Sequence, residues 1–486
     1  MAALWSLIGV GVFSIAAIVL DGHTGPTLSM IAALGWLVVL PLTWPLRGER
    51  RVSDLAFLAG FVFFLSFGLR SIVLLSRSQP TLPGVPTDPA VIAGFLPIHQ
   101  DALLLAIVCW IVFTIGYRAP LGASLGAALP DWQADRLSPG RVAAVVLVFG
   151  AVGWVARLRF RAAHNTFEVL DPNRVGADET ILTWLGVLAT TALVLALLGA
   201  ALYPRNWVFI AMAGTMTIAE IGFALYSGIR TPIFSVALAL VAFAPMRLKL
   251  RRRWILFAAP VILLVFGATV VYRNPEVFSQ ARQNNAAQRF ETTLERSVEL
   301  GPVGLTEIAL WNLSARYHGP DSVGQVLLLG TKVQSGVERY VLAVPSALIP
   351  RFIWRDKPTT IIGIEFARTY FGLTSDQNDA FAPTWVGDFL LSFPPPVVPL
   401  CLLVMGFLVR ILNDYGWRAV RSRSVGFVPY ALILPVAVQS DAWVSVGIYQ
   451  VTQIIIIAIA VAIALRVGSP ANQLAAAPAR QVTSTG

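Results

Sequence analysis

The residues best suited to chemistry lie in a short stretch late in the chain, residues 349–358, which is bounded by prolines. Arg351, Arg355 and Lys357 lie there beside the aromatic ring of Trp354. Guanidinium groups stay charged and bind phosphate oxygens in a bidentate manner. The stretch therefore predicts a rigid, basic loop that binds an anion.

Two further arginines are candidates for the same anion. Arg230 opens a predicted span together with Pro232, which leaves the first N–H groups of a helix free to meet an anion. Arg273, at the end of another span, is a weaker addition. A charge at membrane depth is normally paired or functional. The alternative is therefore that Arg230 and Glu220 neutralise each other between neighbouring helices.

The candidate general bases are two aspartates near the next hydrophobic span. Asp388 lies at the outer end of that span, which Pro394-Pro395-Pro396 interrupts, and Asp379 precedes it. A partly desolvated carboxylate has a raised pKa, which suits it to proton transfer. Helix capping and loop pairing are the alternative for either aspartate, and His164 or His318 could replace them as the base.

The composition is that of a polytopic membrane protein. The chain has 486 residues, of which 56% are hydrophobic and 13% are charged, about half the charged fraction of soluble proteins. Its mean hydropathy is +0.72. Both cysteines lie in apolar runs, so neither a disulfide framework nor a zinc site is predicted. No metal or other cofactor is expected, and no soluble domain is present to bind nucleic acid through the net charge of +10.

Hydrophobic runs of spanning length predict an all-α fold with about twelve transmembrane helices. The first run is expected to be a retained span. The predicted spans are approximately 4–20, 27–46, 54–75, 101–118, 141–157, 180–202, 207–227, 229–247, 254–272, 387–412, 426–440 and 443–466.

Basic clusters between the spans predict the orientation. In the twelve-span arrangement they all fall on one side, which the positive-inside rule makes cytoplasmic, together with both termini. The clusters consist of Arg47, Arg50, Arg51, Arg247, Lys249, Arg251, Arg252, Arg253, Arg410, Arg418, Arg421 and Arg423. The charged segment around Arg157, between spans five and six, then faces away from the cytoplasm, and Arg70 is expected to snorkel to the interface.

Four regions follow from this arrangement. Residues 1–272 form spans one to nine, 273–385 form a large extracytoplasmic loop domain, 386–466 form spans ten to twelve, and 467–486 form a disordered cytoplasmic tail. The loop domain is expected to be a helical cap, with two helices separated at Pro302. A third stretch, residues 323–348, could lie flat among the lipid headgroups.

The turn at residues 227–232 and the proline-bounded loop resemble features of bacterial O-antigen and exopolysaccharide repeat-unit polymerases (Wzy-like). The loop is similar to their pattern of Pro-Arg, Trp and Lys-Pro, and Asp388 fits an acidic residue early in the following span. The resemblance covers residues 227–410 best, and the first two hundred residues only by hydropathy.

The resemblance implies an integral membrane glycosyltransferase of the GT-C class in the bacterial cytoplasmic (inner) membrane. Such enzymes join oligosaccharide units carried on undecaprenyl diphosphate at the outer face of that membrane. It implies a metal-independent, inverting displacement with a diphosphate leaving group, and a chain-length regulator as a possible partner. Arg230, Arg273, Arg351, Arg355, Lys357 and Trp354 would then be ligands of the diphosphate or glycan, with Asp388 or Asp379 as the base.

Two alternatives remain open at this point. O-antigen ligases carry a His-Asn pair late in the corresponding loop, whereas residues 376–379 here read Asp-Gln-Asn-Asp. A transporter or flippase of lipid-linked saccharides often contains a repeated half, and none is visible here. The sequence leaves open the sugar, the linkage, the polymer type, the base, the oligomeric state and the Gram type.

Overall fold

The computed structural model describes the chain in several stretches, most of which are helical. The described residues are 24–43, 54–72, 89–130, 137–163, 177–227, 231–247, 264, 266–272, 286–316, 318–332, 336–349, 353–354, 363–372 and 381–465. No β-strand occurs within these residues, so the predicted all-α, polytopic class is confirmed.

The helices are numbered in chain order. Those before the long charged segment are α1 (Thr24–Thr43), α2 (Leu55–Ile72), α3 (Pro89–Arg118), α4 (Pro120–Ala128), α5 (Pro139–Ala163), α6 (Ala177–Leu202), α7 (Trp207–Ser227) and α8 (Thr231–Arg247). Those that follow are α9 (Ala286–Arg316), α10 (Gly319–Leu329), α11 (Glu338–Leu348), α12 (Gly363–Phe371), α13 (Thr384–Ser392), α14 (Val398–Ser422), α15 (Phe427–Val438) and α16 (Val444–Leu465).

Seven helices in the described part of the chain are long and apolar enough to cross a membrane. They are α2, α3, α5, α6, α7, α14 with the turn before it, and α16. Three shorter apolar helices, α1, α8 and α15, also coincide with predicted spans. The predicted span at 4–20 lies outside the described residues, and the span at 254–272 is described only at 264 and 266–272.

The predicted break in span ten is confirmed. Helix α13 ends at Ser392, a short 3₁₀ turn follows at Pro395–Val397, and α14 begins at Val398. Proline lacks the N–H that an α-helix needs and fixes φ, so three consecutive prolines end one helix and start another. The predicted separation at Pro302 is confirmed too, because Gly301 has a φ of 62° and kinks α9 there.

Helices α3 and α14 cross at close range. A Cβ atom added to Gly116 would lie 2.0 Å from the carbonyl oxygen of Leu403, and one added to Gly406 would lie 2.0 Å from that of Phe113. The two backbones therefore touch where both helices lack side chains. Close approach through small residues is a common packing mode of membrane helices.

Helices α5, α6 and α7 are joined by a buried ion pair. Arg157 Nη1 donates to Glu220 at 2.7 Å, Nε donates to the carbonyl of Gly186 at 2.8 Å, and Nη2 donates to Thr190 Oγ1 at 2.7 Å. The prediction that Arg157 lies in a loop is therefore wrong. The guanidinium is satisfied by neighbouring helices, which lets α5 continue to Ala163. Glu220 has Arg157 as its partner, and Arg230 lies outside the described residues.

Arginines from two predicted basic clusters meet at one end of the helices. Arg247 donates to the carbonyl oxygens of Ala200 and Pro204, and Arg423 donates to those of Ala201 and Met246. These contacts satisfy carbonyls at the C-terminal ends of α6 and α8, which have no partner within their own helix. The ends of α6, α8 and α14 therefore gather on one side.

The helices of the charged segment pack onto the bundle. Helix α10 contacts α3, α12 and α13, and α11 contacts α16. Helix α9 contacts the π-helical part of α2, Leu65–Leu69. These contacts bring polar groups from the segment against the ends of the bundle helices, where the candidate site lies.

Candidate functional site

A buried ion pair between Arg339 and Asp388 forms the centre of the candidate site. Arg339 lies in the first turn of α11 and Asp388 lies in α13, and both are almost fully buried. One carboxylate oxygen, Oδ1, accepts from Arg339 Nη2. The other, Oδ2, accepts from the backbone N–H of Val444 at 2.8 Å, at the start of α16. Asp388 therefore ties three helices together.

Neighbouring side chains hold the guanidinium in place. Arg339 Nη2 also donates to Ser392 Oγ at 3.1 Å, and Tyr340 donates through its hydroxyl to the carbonyl of Asp388 at 3.0 Å. The guanidinium carbon lies 5.1 Å from the ring centroids of both Tyr340 and Trp443. Aromatic faces attract a cation at this distance, so the rings add to the positioning.

Two donors of Arg339 remain open. Its Nε and Nη1 atoms are buried, and neither has a hydrogen-bond partner among the described residues. A buried donor without a partner costs about 1–3 kcal/mol, so native structures rarely keep one without a ligand, water or ion to satisfy it. Nη2 thus fixes the guanidinium, and a ligand, water or ion is needed to satisfy Nε and Nη1.

The environment of Asp388 sets its protonation. Helix α13 is not one of the seven long apolar helices. Burial raises the pKa of Asp388 to about 6, against the lowering effects of Arg339 and of the backbone N–H groups of Val444 and Ser445. At neutral pH the carboxylate is therefore mostly ionised and paired, and mild acid neutralises it.

A cavity of about 450 Å³ adjoins this centre. Ser392 belongs to its wall and also accepts a hydrogen bond from Arg339, so the ion pair lies directly behind that wall. The remaining lining comes from the end of α10 and from the break between α13 and α14, and it is mostly apolar. It consists of Val326, Leu327, Gly330, Thr331, Leu390, Leu391, Phe393, Pro394 and Pro395.

A second buried arginine lies near the other end of α10. Arg70 Nε donates to Asp321 Oδ2 at 2.7 Å, and His99 Nε2 lies 3.0 Å from Asp321 Oδ1. Arg70 is fully buried, so the prediction that it snorkels to the interface is wrong. The physical reason is the carboxylate of α10, which gives the guanidinium a partner inside the protein. Its Nη1 and Nη2 atoms have no partner among the described residues.

The charge of Asp321 depends on this pair. Burial alone would raise its pKa, but Arg70 and His99 outweigh burial and hold it below the ordinary value. Asp321 lies in the first turn of α10, and Gly330 at the other end lines the cavity. At about 1.5 Å per residue, roughly 14 Å of helix separates them. One end of α10 therefore lies at the Arg70–Asp321 pair, and the other lines the cavity beside the Arg339–Asp388 pair.

The structure describes two of the eight predicted site residues. Asp388 belongs to the centre described above, and Trp354 is partly buried. Six predicted residues lie outside the described part of the chain: Arg230, Arg273, Arg351, Arg355, Lys357 and Asp379. Of the two alternative histidines, His164 also lies outside it. His318 is buried, with ring centroids 5.9 Å from Phe371 and 4.7 Å from Phe381.

Sequence reasoning missed Arg339, Arg70, His99 and Asp321. Arg339 stands in a mixed stretch whose charges gave no sign of burial. Asp321 and Arg70 are 251 positions apart, so no local spacing could pair them. His99 lies in the apolar helix Pro97–Arg118, which begins before the predicted span of 101–118. A longer predicted span would have included this histidine.

No metal ligand set or known relative identifies the site. Within the described residues, no three His, Cys, Asp or Glu side chains are grouped as metal ligands would be. The arrangement consists instead of two arginines anchored by aspartates, open donors and a neighbouring cavity. Compared with protein-family models, with curated proteins and with solved structures, the chain has no match.

Proposed function

We propose that this protein is a membrane glycosyltransferase that polymerises oligosaccharide units carried on undecaprenyl diphosphate. The observation that carries the proposal is Arg339, a buried arginine that is held by Asp388 behind the wall of a cavity of about 450 Å³. Its Nε and Nη1 atoms have no partner among the described residues. A planar guanidinium with free N–H groups suits the oxygens of a diphosphate. The resemblance of residues 227–232 and 349–358 to repeat-unit polymerases points to the same ligand.

The proposed topology has twelve spans with a GT-C-like cap on the side away from the cytoplasm. Two contacts of α16 support placing the site opposite the basic ends. Its first residue, Val444, binds Asp388, and its last, Leu465, accepts from Arg141 at 3.3 Å. The positive-inside rule would then put Arg141 in the cytoplasm and the Arg339 centre at the outer face.

In the proposed reaction, a hydroxyl oxygen of the acceptor unit attacks the anomeric carbon of the growing chain. The bond from that carbon to the diphosphate oxygen breaks, and the diphosphate leaves with the electron pair. Arg339 would stabilise the developing charge, with Arg351, Arg355 and Lys357 as further predicted ligands. The hydroxyl proton passes to a base. The engaged oxygens of Asp388 favour a positioning role, which leaves Asp379 as the predicted base.

The test compares Arg339→Lys with wild type, using the purified protein and lipid-linked repeat units. Lysine keeps a charge beside Asp388 but lacks the planar set of donors. We expect the rate of glycosidic bond formation to fall about 10²–10³-fold, the usual effect of losing such a donor. In cells, single repeat units should replace long polymer.

Arg296→Ala is the matched control, because Arg296 is an exposed arginine of α9 that pairs with nearby Glu299. It should leave polymer length unchanged, and both variants should melt close to wild type. Unchanged polymer in a folded Arg339→Lys protein would refute the role of Arg339. Arg351→Ala tests the loop in the same assay.

A transporter of lipid-linked saccharides is the second candidate function. The buried Arg157–Glu220 pair favours it, because charges at membrane depth often mark a transport path. Every guanidinium nitrogen of Arg157 has a partner, however. This pair therefore fits a static contact between helices better than a gate that opens and closes. The same purified assay decides between the two: glycosidic bonds identify the enzyme, whereas movement of lipid-linked units without bond formation identifies a transporter.

A further inference from the structure

Helix α11 has one face that is covered by the protein and an opposite, apolar face that is exposed. Arg339, Ala343, Ser346 and Ala347 are buried on the face toward the protein, where α11 packs on α16. The opposite face carries four residues spaced four, three and four positions apart, which is the period of one helical stripe. They are Val337, Val341, Val344 and Leu348, with exposures of 48%, 66%, 42% and 51%. These four residues are called the α11 stripe below.

The position of α11 indicates what covers the stripe. Helix α16 is one of the seven apolar helices long enough to span a membrane. Arg339 lies over the ring of Trp443, just before α16 begins, so α11 starts at the same level as that end of the span. The α16 surface itself carries exposed Ile455 and Ile459. A helix lying against the outside of such a span shares its surroundings, and those surroundings are lipid.

The chain beyond α11 has the composition of a membrane interface. Ile353 is 67% exposed and Trp354 is partly buried. The sequence around them supplies Arg351, Arg355 and Lys357, with Asp356 as the one acid among them. Tryptophan is enriched at the boundary between lipid and water, and basic residues attract anionic headgroups. Charge complementarity therefore favours the bilayer over a protein partner as the occupant.

We propose that α11 is an interfacial helix whose stripe inserts into the bilayer at the boundary between headgroups and acyl chains. Such helices bury an apolar face at the boundary between headgroups and acyl chains, and in α11 the stripe is that face, while the side that carries Arg339 packs on the protein. Insertion would fix the depth of Arg339, which lies on the opposite face of the same helix. This inference does not depend on the proposed reaction, because it rests on the stripe and on the position of α16.

The test measures where the stripe lies in the full-length protein. Cys109 and Cys401 are replaced by alanine, and one cysteine is introduced as Val341→Cys or Leu348→Cys. The thiol is labelled with bimane, and the protein is placed singly in nanodiscs of phosphatidylethanolamine and phosphatidylglycerol. Quenching is compared between a lipid with a nitroxide near its headgroup and iodide in the water. Lys332→Cys, at an exposed polar position after α10, is the control.

We expect the lipid nitroxide to quench labels at 341 and 348 at least threefold more than the label at 332, with the opposite order for iodide. Iodide quenching at 341 equal to that at 332 would place the stripe in water and overturn the proposal. Shielding from both quenchers would also overturn it, because a protein surface would then cover the stripe. A melting curve for each labelled variant, matching that of the cysteine-free protein, shows that the positions report on the native fold.

Discussion

Two buried aspartates of the described residues are each paired with an arginine, and their pKa values are shifted in opposite directions. Asp321 accepts from Arg70 and lies beside His99, and these two neighbours outweigh burial and hold its pKa below the ordinary value. Asp388 has one arginine partner, and burial keeps its pKa raised to about 6. The Arg70 centre is therefore permanently ionised at physiological pH, whereas the Arg339 centre loses its pair in mild acid.

The raised pKa of Asp388 predicts opposite trends for activity and stability. Because the folded value of about 6 exceeds the ordinary 3.8, the folded protein holds this proton more tightly than the unfolded chain does. The stabilising contribution is complete below pH 3.8 and is lost as the pH rises through 6, amounting to about 3 kcal/mol. Activity that needs the ionised pair should instead rise as the pH passes 6.

Melting temperatures and rates between pH 4 and 7.5 check this prediction, with Asp388→Asn as the test variant. Asparagine resembles the protonated carboxyl and does not titrate, so the stability of wild type relative to Asp388→Asn should fall as the pH rises toward 6 and then stay constant. Asp414→Asn removes a partly exposed carboxylate paired with Arg410 and should leave the profile unchanged. A difference independent of pH would contradict the assigned pKa.

At the scale of the helices, the crossing of α3 and α14 depends on glycine. At Gly116 and Gly406, backbone occupies the space of a Cβ atom. At Gly214, in α7, nothing lies within 4 Å of that position. The same substitution therefore has opposite consequences at the two kinds of site.

Gly116→Ala should destabilise the protein by about 1–3 kcal/mol or more, because the added methyl group meets a backbone carbonyl that cannot rotate away. Gly214→Ala should stabilise it by about 0.5–1 kcal/mol, since alanine costs less helix entropy than glycine. Thermal unfolding in one detergent compares the two. Equal melting temperatures for both variants would show that α3 and α14 are not in contact there.

Helix positions could be predicted from hydropathy far better than helix ends. Continuous apolar runs identified the seven described helices that are long and apolar enough to cross a membrane, and the three prolines after Phe393 identified the break that follows α13. The extension of α5 past Arg157 could not be predicted, because the partners of that arginine come from α6 and α7. Helix α11 was included in a stretch expected near the headgroups, but no local pattern showed which of its faces is buried.

At the scale of the whole molecule, the candidate site consists of contacts between distant parts of the chain. Arg339, Asp388 and Val444 come from three helices, and Arg70 and Asp321 are 251 positions apart. Sequence reasoning could select Asp388 because it is an acid next to a broken span. It could not select Arg339, whose importance appears only when the fold buries it beside that acid.

The proposed orientation predicts the sides of two connections. Alkaline phosphatase fused after Lys332 should be active and a fluorescent protein there should be dark, because the cap would face away from the cytoplasm. A fusion after Arg423 should give the reverse, since Arg423 belongs to the basic ends predicted to be cytoplasmic. The same signal at both positions would contradict the arrangement.

The hydrogen bond from Val444 to Asp388 has a consequence for how the protein is made. The carboxylate leaves the ribosome before the N–H that satisfies it, since 56 residues separate the two. During synthesis, a chain that already contains α13 and α14 still lacks the start of α16, and Asp388 then lacks the hydrogen bond from Val444. The Arg339–Asp388 pair is thus completed by a helix that is translated after α14 and α15. Nascent chains halted before α16 would carry the arginine and the acid without the helix that locks them together.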